Sequence, residues 1–331
     1  MRTGEREVDQ SRLRVTGQVD IETVLMRPEA DKSSSGVGIA EAIVGLAADL
    51  SAGISADLLL LAEDTDIGAR EHIAGAEDYR IEVATVTYWQ VEAPCYITAG
   101  RNFLPFGTFR THMVSDPLTL ELGETNEIAW DLGCSSKSWS ISAFGFKGDG
   151  DDSGGLAGYG ASMGYATAFE HSWLDLRLAY TSDLGYSENL LNQLADAGES
   201  RDSMPGWAAS AGWGTGPATL IFEYVGAMKR FRPYEMRFAG QGAKPSSWMI
   251  EAAYHVALAG RDTSVALGYQ GTEESLALML PRRRTLVALS MQVSHPVAVT
   301  LELSRDRDYS VADGGSEEWI TTVTVQASLS F

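Results

Sequence analysis

Between Arg101 and Glu124 the chain gathers Arg101, Arg110, His112, Asp116, Glu121 and Glu124 in a stretch with neither helical nor strand periodicity. Arginine presents planar paired donors that match carboxylate oxygens, so this set has the chemistry of a constriction that contacts a charged solute. Arg110 has the best case for such a contact; the alternative is that the arginines only balance neighbouring acids. His112, Ser115 and Asp116 are also the residue types of a hydrolytic triad. Triad members are identified by geometry, however, and no G-x-S-x-G occurs, so no catalytic residue is assigned and a hydrolase stays a remote alternative.

A second set, Asp175, Arg177, Glu223, Glu251, His255 and Glu302, occupies the polar face of alternating segments. In a closed barrel with its apolar face toward lipid, these side chains line the lumen and set ion selectivity. Their plain alternative is solvation on a water-filled wall. Arg282, Arg283 and Arg284 form a basic run that fits lipopolysaccharide phosphates, the attraction of an anionic ligand, or a solvated edge. The sequence GDGDDSGG at 148–155 resembles a calcium loop but lacks the closing glutamate, so no metal and no cofactor are expected. Two cysteines, Cys95 and Cys134, rule out a thiolate metal cluster. They fall on neighbouring strands at one rim, where either a disulfide or two free thiols is possible.

The elements that must position these groups are strands. Trp319, Thr321, Val323, Val325, Ala327, Leu329 and Phe331 share one face, while Thr322, Thr324, Gln326, Ser328 and Ser330 share the other. The same period of two predicts sixteen strands, at 13–26, 42–50, 55–63, 79–89, 95–103, 126–134, 138–146, 156–168, 173–182, 206–214, 217–228, 246–256, 262–271, 283–293, 297–308 and 318–331. Alternation alone also fits a soluble sandwich. What separates them is the connections: long ones at 27–41, 64–78, 104–125, 183–205 and 229–245 alternate with short ones at 135–137, 170–172, 215–216 and 294–296. That is the pattern of a transmembrane antiparallel β-barrel with short turns on one side and long outer loops on the other. The expected organisation is a tail at 1–12 and one barrel domain at 13–331, with a short helix at 187–197 inside an outer loop.

Other classes fall away. The longest apolar runs, such as Leu58 to Ala62, fall far short of the roughly 20 residues of a membrane helix. A net charge of −20 opposes nucleic-acid binding. The first fifteen residues carry no apolar stretch of the kind an exported precursor needs.

The segment at 100–125, GRNFLPFGTFRTHMVSDPLTLELGET, resembles a motif of the LbtU family of siderophore porins. Blocks at 223–231, 242–256, 266–281 and 301–309 are similar to that family in the same order. The resemblance implies a Gram-negative outer-membrane barrel that passes a ferric siderophore. No plug or TonB box is recognisable, so the expected route is TonB-independent, with a general porin for small hydrophilic solutes or ions as the alternative. A terminal strand ending in Phe331 resembles the signal read by the barrel-assembly machinery. The other expected partners are outer-membrane lipid and lipopolysaccharide; monomer and trimer stay open. The strand count makes 104–125 the third outer loop, which by analogy with sixteen-stranded porins folds inward and narrows the pore.

Overall fold

The computed structural model describes residues 13–29, 32–64, 67, 77–90, 93–148, 155–195 and 202–331. The tail at 1–12 and most of the acidic loop, 149–154, lie outside the described residues. The strands are β1 (Leu13–Pro28), β2 (Ser34–Ser51), β3 (Ile54–Asp64), β4 (Glu77–Trp89), β5 (Cys95–Phe103), β6 (Asn126–Ser135), β7 (Trp139–Lys147) and β8 (Gly158–Ala168). They continue as β9 (Ser172–Thr181), β10 (Gly206–Thr215), β11 (Ala218–Ala227), β12 (Ser246–Leu258), β13 (Arg261–Glu273), β14 (Arg283–Ser294), β15 (Val297–Arg307) and β16 (Trp319–Ser330). Each pairs antiparallel with its neighbours in sequence, and β1 pairs with β16 from Gln18↔Ser330 to Pro28↔Ile320. The result is a closed barrel of sixteen strands with no free edge.

At the seam the backbone of Gly17 exchanges hydrogen bonds with Phe331, N–H to carbonyl at 2.9 Å and the reverse at 3.0 Å. The Phe331 ring lies over Gly17, where a Cβ would sit 2.3 Å from it, so only glycine admits this contact.

One expected boundary is corrected. β2 begins at Ser34, not at 42, so the connection expected at 27–41 is largely strand. The cause is composition: Gly36 and Gly38 alternate with Val37 and Ile39, and glycine on the inward face hides the polar half of the pattern. Val37 and Ile39 are exposed, in line with the apolar outer face.

That outer face carries Leu176, Leu178, Leu220, Phe222, Leu267, Val287, Leu301, Leu303 and Val325, all exposed. An apolar surface of this extent is incompatible with water and fits lipid. Aromatic residues bracket it: Tyr88, Trp139, Trp213 and Tyr254 near the short turns, and Tyr159, Tyr180 and Trp207 near the long loops. No helix among the described residues is long and apolar enough to cross a membrane; this barrel crosses with strands.

The buried apolar cluster is inside the barrel. Leu104, Phe106, Leu118 and Leu122 of the third loop pack with Phe144 and Phe146 of β7 and with Leu184, Leu190 and Leu194 of the loop after β9. The third loop contains α1 (Leu118–Gly123), and the loop after β9 that packs on it contains α2 (Glu188–Ala195), within the stretch expected to be helical. Each fully buried side chain of this kind is worth about 1.5–3 kcal/mol, enough to seat both loops.

Candidate functional site

Backbone geometry frees the third loop from the wall of β5. Pro105 has no N–H to give a neighbouring strand, and Gly107 turns at φ +88 with the Phe109 ring packed against it. A Cβ on Gly107 would lie 2.3 Å from that ring. Pro117 precedes α1, whose Leu118 and Leu122 are fully buried.

The loop then needs acceptors for its N–H groups, and inward-facing residues of four strands supply them. Glu223 on β11 accepts from Thr108 N (2.6 Å), Thr108 Oγ1 (3.0 Å), Phe109 N (3.1 Å) and Thr119 Oγ1 (2.9 Å). Glu251 on β12 accepts from Thr111 Oγ1 (2.6 Å) and His112 N (2.8 Å), and His112 Nδ1 lies 2.6 Å from it. Glu302 on β15 accepts from Val114 N (2.6 Å), Ser115 N (3.2 Å) and Ser115 Oγ. Gln270 on β13 accepts from Leu118 N at 2.9 Å. Hydrogen bonds to charged acceptors contribute about 1.5–3 kcal/mol each, so the glutamates act as stakes for the loop.

This changes the expected role of three residues. Glu223, Glu251 and Glu302 are 0%, 1% and 1% exposed, so they are not charges on a water-filled wall. Their oxygens are committed to loop donors, which desolvation makes obligatory. The sequence reading also missed Thr108, Thr111, Thr119 and Gln270. Strand parity could have found Gln270, which shares the inward face of β13 with buried Ala266.

The other candidates separate into four places. Arg110 Nη2 donates to Asp175 Oδ2 at 3.0 Å, and Arg177 Nε donates to Asp175 Oδ1 at 3.1 Å, forming one inner-wall group. His112 and His255 meet edge to face, with ring centroids 5.6 Å apart. Arg101 lies on β5 outside the loop, with Nη1 3.4 Å from the Asn126 carbonyl. His112, Ser115 and Asp116 form no relay: His112 and Ser115 engage different glutamates. Cys95 and Cys134 are cross-strand partners on β5 and β6 and carry a disulfide.

Asp116, Glu121 and Glu124 open onto a cavity of about 520 Å³ between the loop, α2 and the inner wall of β2, β3 and β4. Glu41, Glu63, Glu82 and Glu188 line it as well, against the single cationic side chain Arg80. Arg80 pairs with Glu63 at 3.0 Å and with Glu82, and approaches Glu188 at 3.8 Å. Glu82 reaches the inner wall through a β-bulge: Leu59 pairs with Val83 and Leu60 with Ile81, leaving Glu82 as the extra residue. Asn126 Nδ2 fixes it from the other side at 2.8 Å. Loss of bulk solvation, with Glu188 and Asp116 nearby, pushes the Glu124 carboxyl up to about 8. Asp116 has its surface open to cavity water, yet the wall around it and Glu121 push it up to about 6.

Comparison with known proteins fits this geometry. No protein-family model matches the chain. The structure superposes on OprB of Pseudomonas putida with TM-score 0.66 and 11% identity, covering 97% of this chain and 94% of that one. An anion-selective porin from Comamonas acidovorans gives TM-score 0.61 and 15% identity, with 96% and 99% covered. The fold is that of the porins. With its lipid-facing band and two aromatic girdles, the chain is a transmembrane barrel of the Gram-negative outer-membrane type. In sequence it is 27% identical over 258 residues to a UPF0422 protein of Legionella pneumophila (strain Lens), covering 66% of this chain. The match takes in 44% of that relative's length, so this chain spans less than half of it.

Proposed function

We propose that this barrel is a passive channel for small hydrophilic solutes, that the staked third loop sets its constriction, and that it favours cations. The observation that carries this reading is the cavity beside the loop, where Glu41, Glu63, Glu82, Asp116, Glu121, Glu124 and Glu188 face the lone guanidinium of Arg80. Low-dielectric walls strengthen the field of such a set, so it concentrates cations and excludes anions. The test is the reversal potential of single channels in a planar bilayer under a potassium chloride gradient. A potential of the sign given by cation permeation is expected, and one of the opposite sign overturns the preference.

A second reading is TonB-independent passage of a ferric siderophore, favoured by the resemblance of the 100–125 segment to the siderophore-porin motif. In it Arg110, Arg177 and His112 are the contacts for the ligand's oxygens. Concentration-dependent block of the open channel by a ferric siderophore, absent for the iron-free ligand, is its signature. Indifference to siderophores of every charge removes this reading and leaves the first.

A further inference from the structure

The outward girdle at the long-loop end changes chemistry part-way round the barrel. From β8 to β12 it is aromatic, with Tyr159, Tyr180, Trp207, Tyr224 and Trp248. Cross-strand register then continues the level of Trp248 through Gly271, Arg283 and Arg307 to Trp319. Two residues nearer the barrel's middle, Arg305 pairs with Thr321, and Thr321 pairs on its other side with Arg27 of β1. The period of two puts these arginines on the lipid side. Arg283 shares its face with Val287 and Leu289, Arg305 and Arg307 share theirs with Leu301 and Leu303, and Arg27 shares its face with Leu25.

The arginines expected to act together do not. Arg284 turns inward to Asp306, at 2.9 and 3.0 Å, and Arg282 donates to the Thr272 carbonyl at 2.9 Å. Only Arg283 of that run joins the outer arc. Its Cζ lies 5.6 Å from the Trp248 ring centroid, in space that Gly271 leaves open. A Cβ on Gly271 would stand 2.7 Å from Arg283 Nη1. Arg305 and Arg307 lie 4.3 and 5.5 Å from the Trp319 ring centroid. Arg307 pairs with Glu317 at 2.9 Å, whereas Arg27, Arg283 and Arg305 have no carboxylate partner among the described residues.

We propose that Arg27, Arg283, Arg305 and Arg307, with Trp248 and Trp319, form a binding site for the phosphates of outer-leaflet lipid, the phosphorylated headgroup of lipopolysaccharide. Guanidinium groups at a lipid boundary need an anion to neutralise them, and phosphate oxygens accept their paired donors. The apolar faces of β14 and β15 directly below receive acyl chains, which selects a lipid over a soluble anion. The tryptophans hold the arginines extended at the interface by cation–π contact.

The test uses the folded barrel in detergent, incubated with lipopolysaccharide, gel-filtered and weighed intact by native mass spectrometry. The unaltered protein is expected to retain the phosphorylated lipid. The triple variant Arg283→Gln, Arg305→Gln, Arg307→Gln is expected to hold it roughly a hundredfold more weakly. Thr321→Glu keeps every arginine, places a carboxylate between Arg27 and Arg305, and is expected to weaken retention too; it carries the test should the triple variant not fold. Heat-modifiable gel mobility reports folding. Equal retention of phosphorylated and dephosphorylated lipid overturns the proposal. So does undiminished binding by the folded variants, or full displacement of the lipid by millimolar inorganic phosphate.

Discussion

Two walls of one lumen both present glutamate, and they use it in opposite ways. On β11, β12 and β15, Glu223, Glu251 and Glu302 are sealed from water with their oxygens taken up by the N–H and hydroxyl groups of the third loop. On β2 and β3, Glu41 and Glu63 look across a water-accessible cavity at more carboxylates from the loop and α2, while Glu82 of β4 is buried and held by Arg80 and Asn126. The first wall spends its carboxylates on structure, and the second leaves Glu41 and Glu63 open to the cavity. The difference lies in the facing partner: an acceptor opposite peptide N–H groups becomes a stake, while one opposite water becomes part of a field.

The sharpest way to break the comparison is to draw a stake. Glu223→Ala leaves the donors at Thr108, Phe109 and Thr119 without their acceptor, at a cost to the loop's seating of about 1–3 kcal/mol for each buried donor left unpaired. Single-channel recordings should show larger and noisier conductance, whereas Glu223→Gln, which keeps an acceptor oxygen, should change it far less. Unaltered conductance in the alanine variant would mean that the loop is held by its apolar contacts alone.

On the other wall, Arg80→Ala removes the one cation from the acidic cavity. The ratio of cation to anion permeability should rise roughly severalfold, since a unit charge a few ångströms from the path is worth about 4 kcal/mol at an effective dielectric constant near 20, before mobile ions screen it. Arg110→Ala, whose charge is already shared with Asp175, should move that ratio less.

Acid should erase part of the contrast without any substitution. Glu124, pushed up to about 8, and Asp116, pushed up to about 6, carry their negative charge only above those values. Lowering the pH from 9 to 5 therefore adds a proton to each, and the reversal potential should shrink in two steps. Glu124→Gln should abolish the upper step and leave the lower one. A selectivity flat from pH 9 to 5 would remove both carboxyls from the conduction path.

The smallest expected effect on the channel comes from the disulfide. Cys95 and Cys134 lie 39 residues apart and enclose the third loop in one covalent ring at the short-turn end of β5 and β6. Replacing both with serine should leave conductance unchanged while lowering resistance to chemical unfolding by about 3–4 kcal/mol, followed by gel mobility in urea. A conductance change would show that the two strands transmit strain to the loop.

Much of the fold was legible because parity in a strand is local. Trp319 to Phe331 and Leu174 to Tyr180 declare their lipid face by type alone, and the alternation of short and long connections separates a barrel from a sandwich. Legibility failed where the polar half of the pattern is glycine, as in the first turn of β2, and where a bulge adds a residue, as at Glu82. For the site, parity placed Glu223, Glu251 and Glu302 inside but said nothing of what they would meet. The blocks that resemble the siderophore porins bear on this. Beyond the loop itself, Glu223, Glu251, Gln270 and Glu302 each fall in a different one of them, so the loop and its stakes are read as one unit only after folding.

The sequence by itself determined the period-two wall, the number of strands, the lipid-facing band and the inward side of Asp175, Glu223, Glu251 and Glu302, because these depend on side-chain type at alternating positions of a pleated chain. Only the tertiary structure decided which inner carboxylates are taken up by loop donors and which are left facing water. That depends on where a loop from β5 lies against strands more than a hundred residues away, and no local pattern encodes such a contact. The arginines follow the same rule: three are adjacent in the chain at 282–284, yet only Arg283 joins the lipid face, beside Arg307, its partner across the sheet.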